Sequence, residues 1–313
     1  CANPSMNVHG EQIGGVVGFL RTLKRLSDDL HPSRIYVIWE GGGSQRRRAI
    51  MPEYKNNRKP EKLNRFYEDD IPETTENRNQ QIVKLLEFLK ASPVCQLYVA
   101  NCEADDIIAH LACGPLKGQD IVIASSDRDF YQLLKNKDAN GNQIKIYNFH
   151  QKRFVTEDDV QKEFQISPEN FAVAKALSGD KSDNIPGVKG IGFKTVAKKL
   201  PFLSKKETIL LQDVYSYCHT HIDEGTVYKR ILDETDKINM NYKLVFLNGN
   251  MMSASQITQI NHIVETYKPS ADKIRFIRAL TAEGVNDFDA HSYFLAFHSI
   301  AGLTYKNTGK NDS

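Results

Sequence analysis

The chain reads as an α/β protein, a doubly wound and mainly parallel sheet followed by an α-helical region. Two observations predict this. Up to about residue 155, short β-branched apolar runs alternate with longer segments of helical period, the signature of strands joined by crossover helices. From residue 156 onward the pattern is helical, with breaks at 179–192, at Pro201 and at 248–252.

The elements follow in order. Residues 12–30 place Ile13, Val16, Val17, Phe19, Leu20, Leu23 and Leu26 close to a helical period. Residues 35–39 form a buried strand that ends at Glu40, ahead of three glycines. Ile82, Leu85, Leu86 and Leu89 mark a helix over 74–90. A strand over 95–100 leads to a helix opening at Glu103, Ala104, Asp105 and Asp106. The clearest strand, 120–124, runs into Ser125-Ser126-Asp127-Arg128-Asp129. A turn at 138–141 precedes a short strand at 144–147. The expected organisation is a core over 1–155, a helical region over 156–305 and a disordered tail over 306–313. In a parallel sheet, functional groups collect beyond the carboxyl ends of the strands, where Glu40, Glu103 and Asp127 fall.

Composition narrows the class. With 41 basic and 39 acidic residues, net charge decides nothing and only clustering is informative. No apolar run reaches the roughly 18–20 residues of a membrane span, and no signal peptide is visible. The five cysteines are odd in number and lack zinc-ligand spacing, so a reduced, cytoplasmic setting is expected.

Eight acids occupy strand-end or turn positions: Glu40, Glu103, Asp105, Asp106, Asp127, Asp129, Asp180 and Asp183. Converging carboxylates repel one another unless cations neutralise them, and hard divalent ions prefer oxygen ligands. Singly, each has a plainer reading: Glu103, Asp105 and Asp106 as helix N-terminal acids, Asp127 and Asp129 as a capping pair. Two further segments carry opposite charge. Residues 46–62 hold seven bases against two acids, with Tyr54 beside Lys55, an aromatic in a cationic stretch of the kind that stacks single-stranded bases. Residues 187–194 interleave Gly187, Gly190 and Gly192 with Lys189 and Lys194, ahead of Lys198 and Lys199. Glycines let backbone amides approach phosphates closely.

Taken in order, these residues resemble the 5′-nuclease or flap-endonuclease superfamily. The resemblance rests on Gly10-Glu11, Gly15, Gly18-Phe19, Pro52-Glu53-Tyr54-Lys55, Arg58, Glu103-Ala104-Asp105-Asp106, Ser126-Asp127 with Asp129, and Gly179-Asp180 with Ser182-Asp183-Asn184-Ile185-Pro186-Gly187-Val188. It runs from about residue 10 to 200 and is weaker beyond. It implies a PIN-like sheet, a helical arch over about 41–72 and a helix–hairpin–helix over about 176–200. The implied activity is a 5′→3′ exonuclease and structure-specific 5′ flap endonuclease in replication or repair, in a bacterial or phage-infected cell. It would act on DNA and RNA/DNA duplex with a 5′ end or flap, as a monomer, with replication proteins as partners and no membrane.

The same resemblance assigns roles. Glu103 and Asp105 would hold one Mg²⁺, with Asp106 outside them; Asp127, Asp129 and Asp183 would hold a second, supported by Asp180. Mn²⁺ could substitute, and Glu40 stands where the family usually has an aspartate. Lys55 and Arg58 would contact the scissile phosphate. Arg47 and Tyr54 would face DNA at the arch, and Gly187, Val188, Lys189, Gly190, Ile191, Gly192 and Lys194 would grip duplex, with K⁺ at that hairpin. The family also begins with a strand ending in a metal-binding aspartate, whereas no Asp precedes Asp28. That strand is expected upstream of Cys1, and a branched-DNA-binding module with impaired hydrolysis is the alternative.

Overall fold

The computed structural model describes residues 6–57, 75–134, 140–248 and 251–306. Arg58, the outer part of the expected arch and the tail from residue 307 lie outside the described residues. The first half runs α1 (Gly14–Leu30), β1 (Tyr36–Trp39), α2 (Gln45–Ile50), α3 (Thr75–Lys90), β2 (Cys95–Tyr98), α4 (Ala104–Cys113), β3 (Ile121–Ala124), a 3₁₀ turn (Arg128–Leu133), β4 (Ile144–Asn148) and β5 (Arg153–Val155). The second half is mainly helical: α5 (Glu157–Phe164), α6 (Phe171–Ser178), the two-residue strands β6 (Gly179–Asp180) and β7 (Ile185–Pro186), α7 (Phe193–Lys199), α8 (Leu211–Thr220), α9 (Thr226–Asp233) and α10 (Thr235–Val245). Then come α11 (Ala254–Thr266), β8 (Ser270–Ala271), α12 (Lys273–Ala282), α13 (Ala290–Leu295) and β9 (Thr304–Tyr305). Among the described residues no helix is long and apolar enough to cross a membrane.

The chain divides into two compact units, one built from 1–39, 59–97 and 262–313, the other from 40–58 and 98–261. In the first, β1 pairs with β2. Helix α1 buries Val16, Val17, Leu20 and Leu23, the stripe its sequence period predicts. That stripe joins Phe88, Leu89, Phe276, Tyr293 and Phe297 in one core. His31 ends α1 in the left-handed conformation, its N–H donating to the Ser27 carbonyl.

The second unit holds every candidate site residue. Here β3 pairs with β4 in parallel, from Ile121 opposite Ile144 to Ala124 opposite Tyr147. β4 pairs antiparallel with β5, so this sheet is mixed. The sequence offers too little alternation at 153–155 to announce β5, which forms because β4 supplies a ladder for it. Helix α5 begins in a capping box, with Thr156 and Asp159 each bonded to the other's backbone N–H. A larger core gathers Leu177, Val188, Ile191, Leu200, Val214, Ile231 and Leu244 beneath the hairpin segment.

Two glycines make that segment possible. A Cβ on Gly187 would stand 2.1 Å from the Ser178 carbonyl oxygen, and one on Gly179 would stand 2.2 Å from the Gly187 nitrogen. Side chains at either position would push β6 and β7 apart. Asn241 on α10 adds a polar pin, its Nδ2 donating to the Ala176 and Pro186 carbonyls at 3.0 and 2.8 Å.

Candidate metal centre

Strand ends and helix starts bring the acids together. Glu40 follows β1 and is exposed, Glu103 stands at the N-cap position of α4 without a capping hydrogen bond, and Asp127 caps the 3₁₀ turn after β3. Asp127 spends one oxygen locally, accepting from the Asp129 N–H at 2.8 Å. Asp180 and Asp183 come from the β6–β7 hairpin. One ligand oxygen each from Asp129, Asp180 and Asp183 lies within 4.8 Å of the others, a spacing that three donors to one ion can use. The trio differs from the expected grouping: Asp180 is a full member rather than a support, and Asp127 is not in it.

Cations from three segments meet these acids. Lys55 Nζ is 2.8 Å from Glu103 Oε1 and 3.8 Å from Asp183 Oδ2. The Tyr54 hydroxyl lies 3.0 Å from Glu103 Oε2 and 3.3 Å from Asp183 Oδ2. Backbone contacts fix this edge, since Lys55 N–H donates to the Asp183 carbonyl at 2.9 Å and Asn184 Nδ2 to the Glu53 carbonyl at 2.8 Å. Both Lys55 and Asn184 adopt positive φ, 59° and 61°. Such strain is tolerated where surrounding contacts over-determine the backbone.

Two expectations are corrected here. Arg47 and Tyr54 were expected to face DNA, yet they are 1% and 4% exposed. Arg47 grips Asp106 with both terminal nitrogens, Nη2 at 2.8 Å from Oδ1, and its Nε donates to the Leu244 carbonyl at 2.9 Å. Its Nη1 also reaches Glu103 Oε2 at 3.2 Å. Arg47 is an internal clamp, and Tyr54 orients carboxylates instead of stacking bases. Asp106 was expected to serve a metal through its outer sphere. Both its oxygens face Arg47, which removes it from that role.

A residue absent from the sequence-based set completes the site. Lys175 on α6 pairs with Asp129 Oδ1 and, at 2.6 Å, with Asp180 Oδ2. Its signal was present: it is the one charge in Phe171–Ser178, a helix otherwise small or apolar.

The electrostatics match a crowded carboxylate site. Burial, with Asp127, Glu40 and Asp129 nearby, pushes Asp105 up to about 8 even though Lys55 opposes. Burial and Asp127 push Asp129 up to about 6 against the pull of Lys175. Burial opposes ionisation of Glu103 and Asp180 as well, yet both lie below the usual carboxylate range. Lys55 and Arg47 outweigh burial at Glu103; Lys175 and Ser182 do so at Asp180. The three oxygen donors of the trio suit a hard divalent ion, and acids held apart in this way are what such an ion would neutralise.

The hairpin divides its residues. Val188 and Ile191 are buried, and their N–H groups are bonded to the Leu177 and Val188 carbonyls. These two therefore serve the core, correcting their expected place in the duplex grip. Lys189, Gly190, Gly192 and Lys194 are exposed, and Gly187 is half-buried. Two carbonyls of the turn already face built-in cations: Lys237 Nζ lies 3.1 Å from the Gly187 oxygen and Arg230 Nη1 3.3 Å from that of Lys189. This donor set does not favour a K⁺ ion beside them.

The chain resembles known proteins along most of its length. A family profile described as 5′-3′ exonuclease, N-terminal resolvase-like domain, matches residues 2–165, and one described as 5′-3′ exonuclease, C-terminal SAM fold, matches 166–267. A 5′-3′ exonuclease of Buchnera aphidicola subsp. Schizaphis graminum is 32% identical over 62% of this chain and 60% of its own length. A flap endonuclease Xni of Shewanella sp. (strain MR-4) is 31% identical over 54% of this chain and 58% of its own. The chain thus spans less than two thirds of these relatives. The bacteriophage T5 D15 flap endonuclease, solved with DNA and metal ions, shares the fold with a TM-score of 0.61 at 20% identity, covering 80% of this chain and 90% of that one.

Proposed function

Because this chain belongs to the 5′-3′ exonuclease family, with matches over both its halves, we propose that it is a divalent-metal-dependent 5′→3′ exonuclease and structure-specific 5′ flap endonuclease. Its substrate is DNA, or an RNA/DNA duplex, with a free 5′ end or flap. The observation that carries this reading is the Asp129–Asp180–Asp183 trio with Lys55 at its edge, 3.8 Å from Asp183.

Asp129, Asp180 and Asp183 would hold a Mg²⁺ or Mn²⁺ ion, and Asp105 a second, together with Glu103, whose Oε1 would exchange the Lys55 ammonium for the ion. Bound there, such ions supply Lewis-acid stabilisation of phosphoryl charge and activate water. The remaining work belongs to the chain. Lys55, poised between Glu103 and Asp183, offers a cation to the non-bridging oxygens of the scissile phosphate as charge builds. Arg58, three residues further along the sequence, is assigned the same task. Tyr54 orients Glu103 and Asp183, and Arg47 holds the start of α4 in place. Lys189 and Lys194, on exposed positions of the hairpin, contact duplex phosphates without reading bases.

A 5′-labelled flap duplex incubated with the chain and Mg²⁺ or Mn²⁺ tests the reading. Cleavage near the flap junction is expected, stopping on chelation and on combining Asp129→Asn with Asp183→Asn. A folded double variant that cuts at the wild-type rate would refute the assignment.

A further inference from the structure

We propose that Lys175 is a built-in counter-cation that competes with a divalent ion for Asp129 and Asp180, so that ion binding displaces its ammonium. The proposal rests on the metal centre described above and adds a residue that sets its affinity.

Residues Phe171 through Leu177 are buried, and Lys175, at 8% exposure, is the sole charge among them. An ammonium taken out of water is costly unless paired and hydrogen-bonded. Lys175 is paired twice, to Asp129 Oδ1 and to Asp180 Oδ2, and both acids belong to the trio. The choice of oxygen matters. Asp180 Oδ1 is already bound by the Ser182 N–H at 2.8 Å and hydroxyl at 2.6 Å. Oδ2 is the atom left to face a cation, and it faces Lys175. A divalent ion recruiting Asp180 through Oδ2 therefore meets the ammonium at the same oxygen, and two positive charges cannot share it without repulsion. The flexible four-carbon stem lets the ammonium change position while its helix stays fixed.

The consequence is a site whose acids are neutralised in either condition, by Lys175 or by the ion, with affinity set by the exchange. Lys175→Met removes the competitor. Lys175→Arg retains it with a planar, bidentate head that suits two carboxylates better than an ammonium does.

Isothermal titration of the full chain with MnCl₂ tests the idea. The expected order of affinity is Met tightest, then wild type, then Arg, with the Met variant tighter than wild type by about tenfold or more, the scale of one charge pair. Folded Met and wild-type proteins that bind Mn²⁺ equally, or a Met variant that binds more weakly, overturn it. A second measurement does not depend on the variants folding. Acylation of wild-type Lys175 by a succinimidyl ester, followed by mass spectrometry, should rise as Mn²⁺ saturates the site. Labelling that stays flat through saturation overturns the displacement. The two readings fail differently: wild-type protein that binds no Mn²⁺ refutes the metal centre itself, whereas wild type that binds with the Met variant no tighter refutes only the role of Lys175.

Discussion

Arg47 and Asp106, 59 residues apart in sequence, share a two-pronged ion pair in which both side chains are almost wholly buried. Burial alone would disfavour the guanidinium charge, but Asp106 and Glu103 more than reverse it and hold Arg47 above its ordinary value. The pair joins α2 to α4, and the Arg47 bond to the Leu244 carbonyl adds α10. A solvent-facing base would do none of this. Its position in a basic run hid a structural function.

Removing one partner leaves the other charged and buried. Arg47→Ala is expected to destabilise the protein by about 3–5 kcal/mol. Arg47→Met combined with Asp106→Leu should recover most of that loss. Urea unfolding of the wild type and these two variants measures both effects.

Lys55 separates catalysis from backbone strain. Lys55→Ala and Lys55→Gly should lower kcat on a flap substrate by a similar factor, about 10²–10³, as both lose the cation. The glycine variant should be the more stable by about 1 kcal/mol, because φ at this position is 59°. Single-turnover kinetics and thermal melts of the two variants give the comparison.

The hairpin tolerates no side chain at Gly187. Gly187→Ala would bring Cβ to 2.1 Å from the Ser178 oxygen, and a shift of β6 against β7 is expected to cost about 1–3 kcal/mol. That shift moves Asp180 and Asp183, so weaker Mn²⁺ binding should accompany the loss of stability. Unchanged Mn²⁺ affinity would uncouple the hairpin from the metal centre.

Asp105 gives a pH signature. Its folded-state value, about 8, is raised by burial and neighbouring acids above the ordinary 3.8. The stability it contributes is therefore complete below about pH 4 and is lost as pH rises through about 8. In chelator, the wild-type melting temperature should fall more between these limits than that of Asp105→Asn. A parallel pH profile in the variant would remove Asp105 as the cause.

Lys189 and Lys194 should act through charge alone. Alanine at either position is expected to lower the salt dependence of duplex binding by about one unit of log K against log salt, uniformly across sequences. Fluorescence anisotropy at several salt concentrations reads the slope. A loss confined to particular sequences would mean base contact instead.

Much of this was legible in advance. Apolar period places a helix over 12–30, observed as α1 at Gly14–Leu30, and short β-branched runs mark β1 and β3, because each buries a face that its own spacing defines. The acids after β1, β2 and β3 were readable for the same reason, since strand ends are local features. β5 was not, because a three-residue strand depends on its neighbour more than on its own pattern. Arg47, Tyr54 and Val188 look in sequence like a base, an aromatic and a hairpin residue open to DNA. Their burial follows from packing against residues over 50 or more positions away, or against the hydrophobic core, which no local pattern encodes.

By itself the sequence determined the α/β class, the order of the elements and the set of carboxylates available for chemistry, all of which follow from periodicity and residue type. Only the tertiary structure decided which acids converge and which cation each meets. Asp129 and Asp180 are 51 residues apart along the chain (180 − 129) and share Lys175 from a third segment. Coulombic pairing depends on distance in space, steeply enough inside a protein that a few ångströms divide a metal ligand from the partner of a buried arginine.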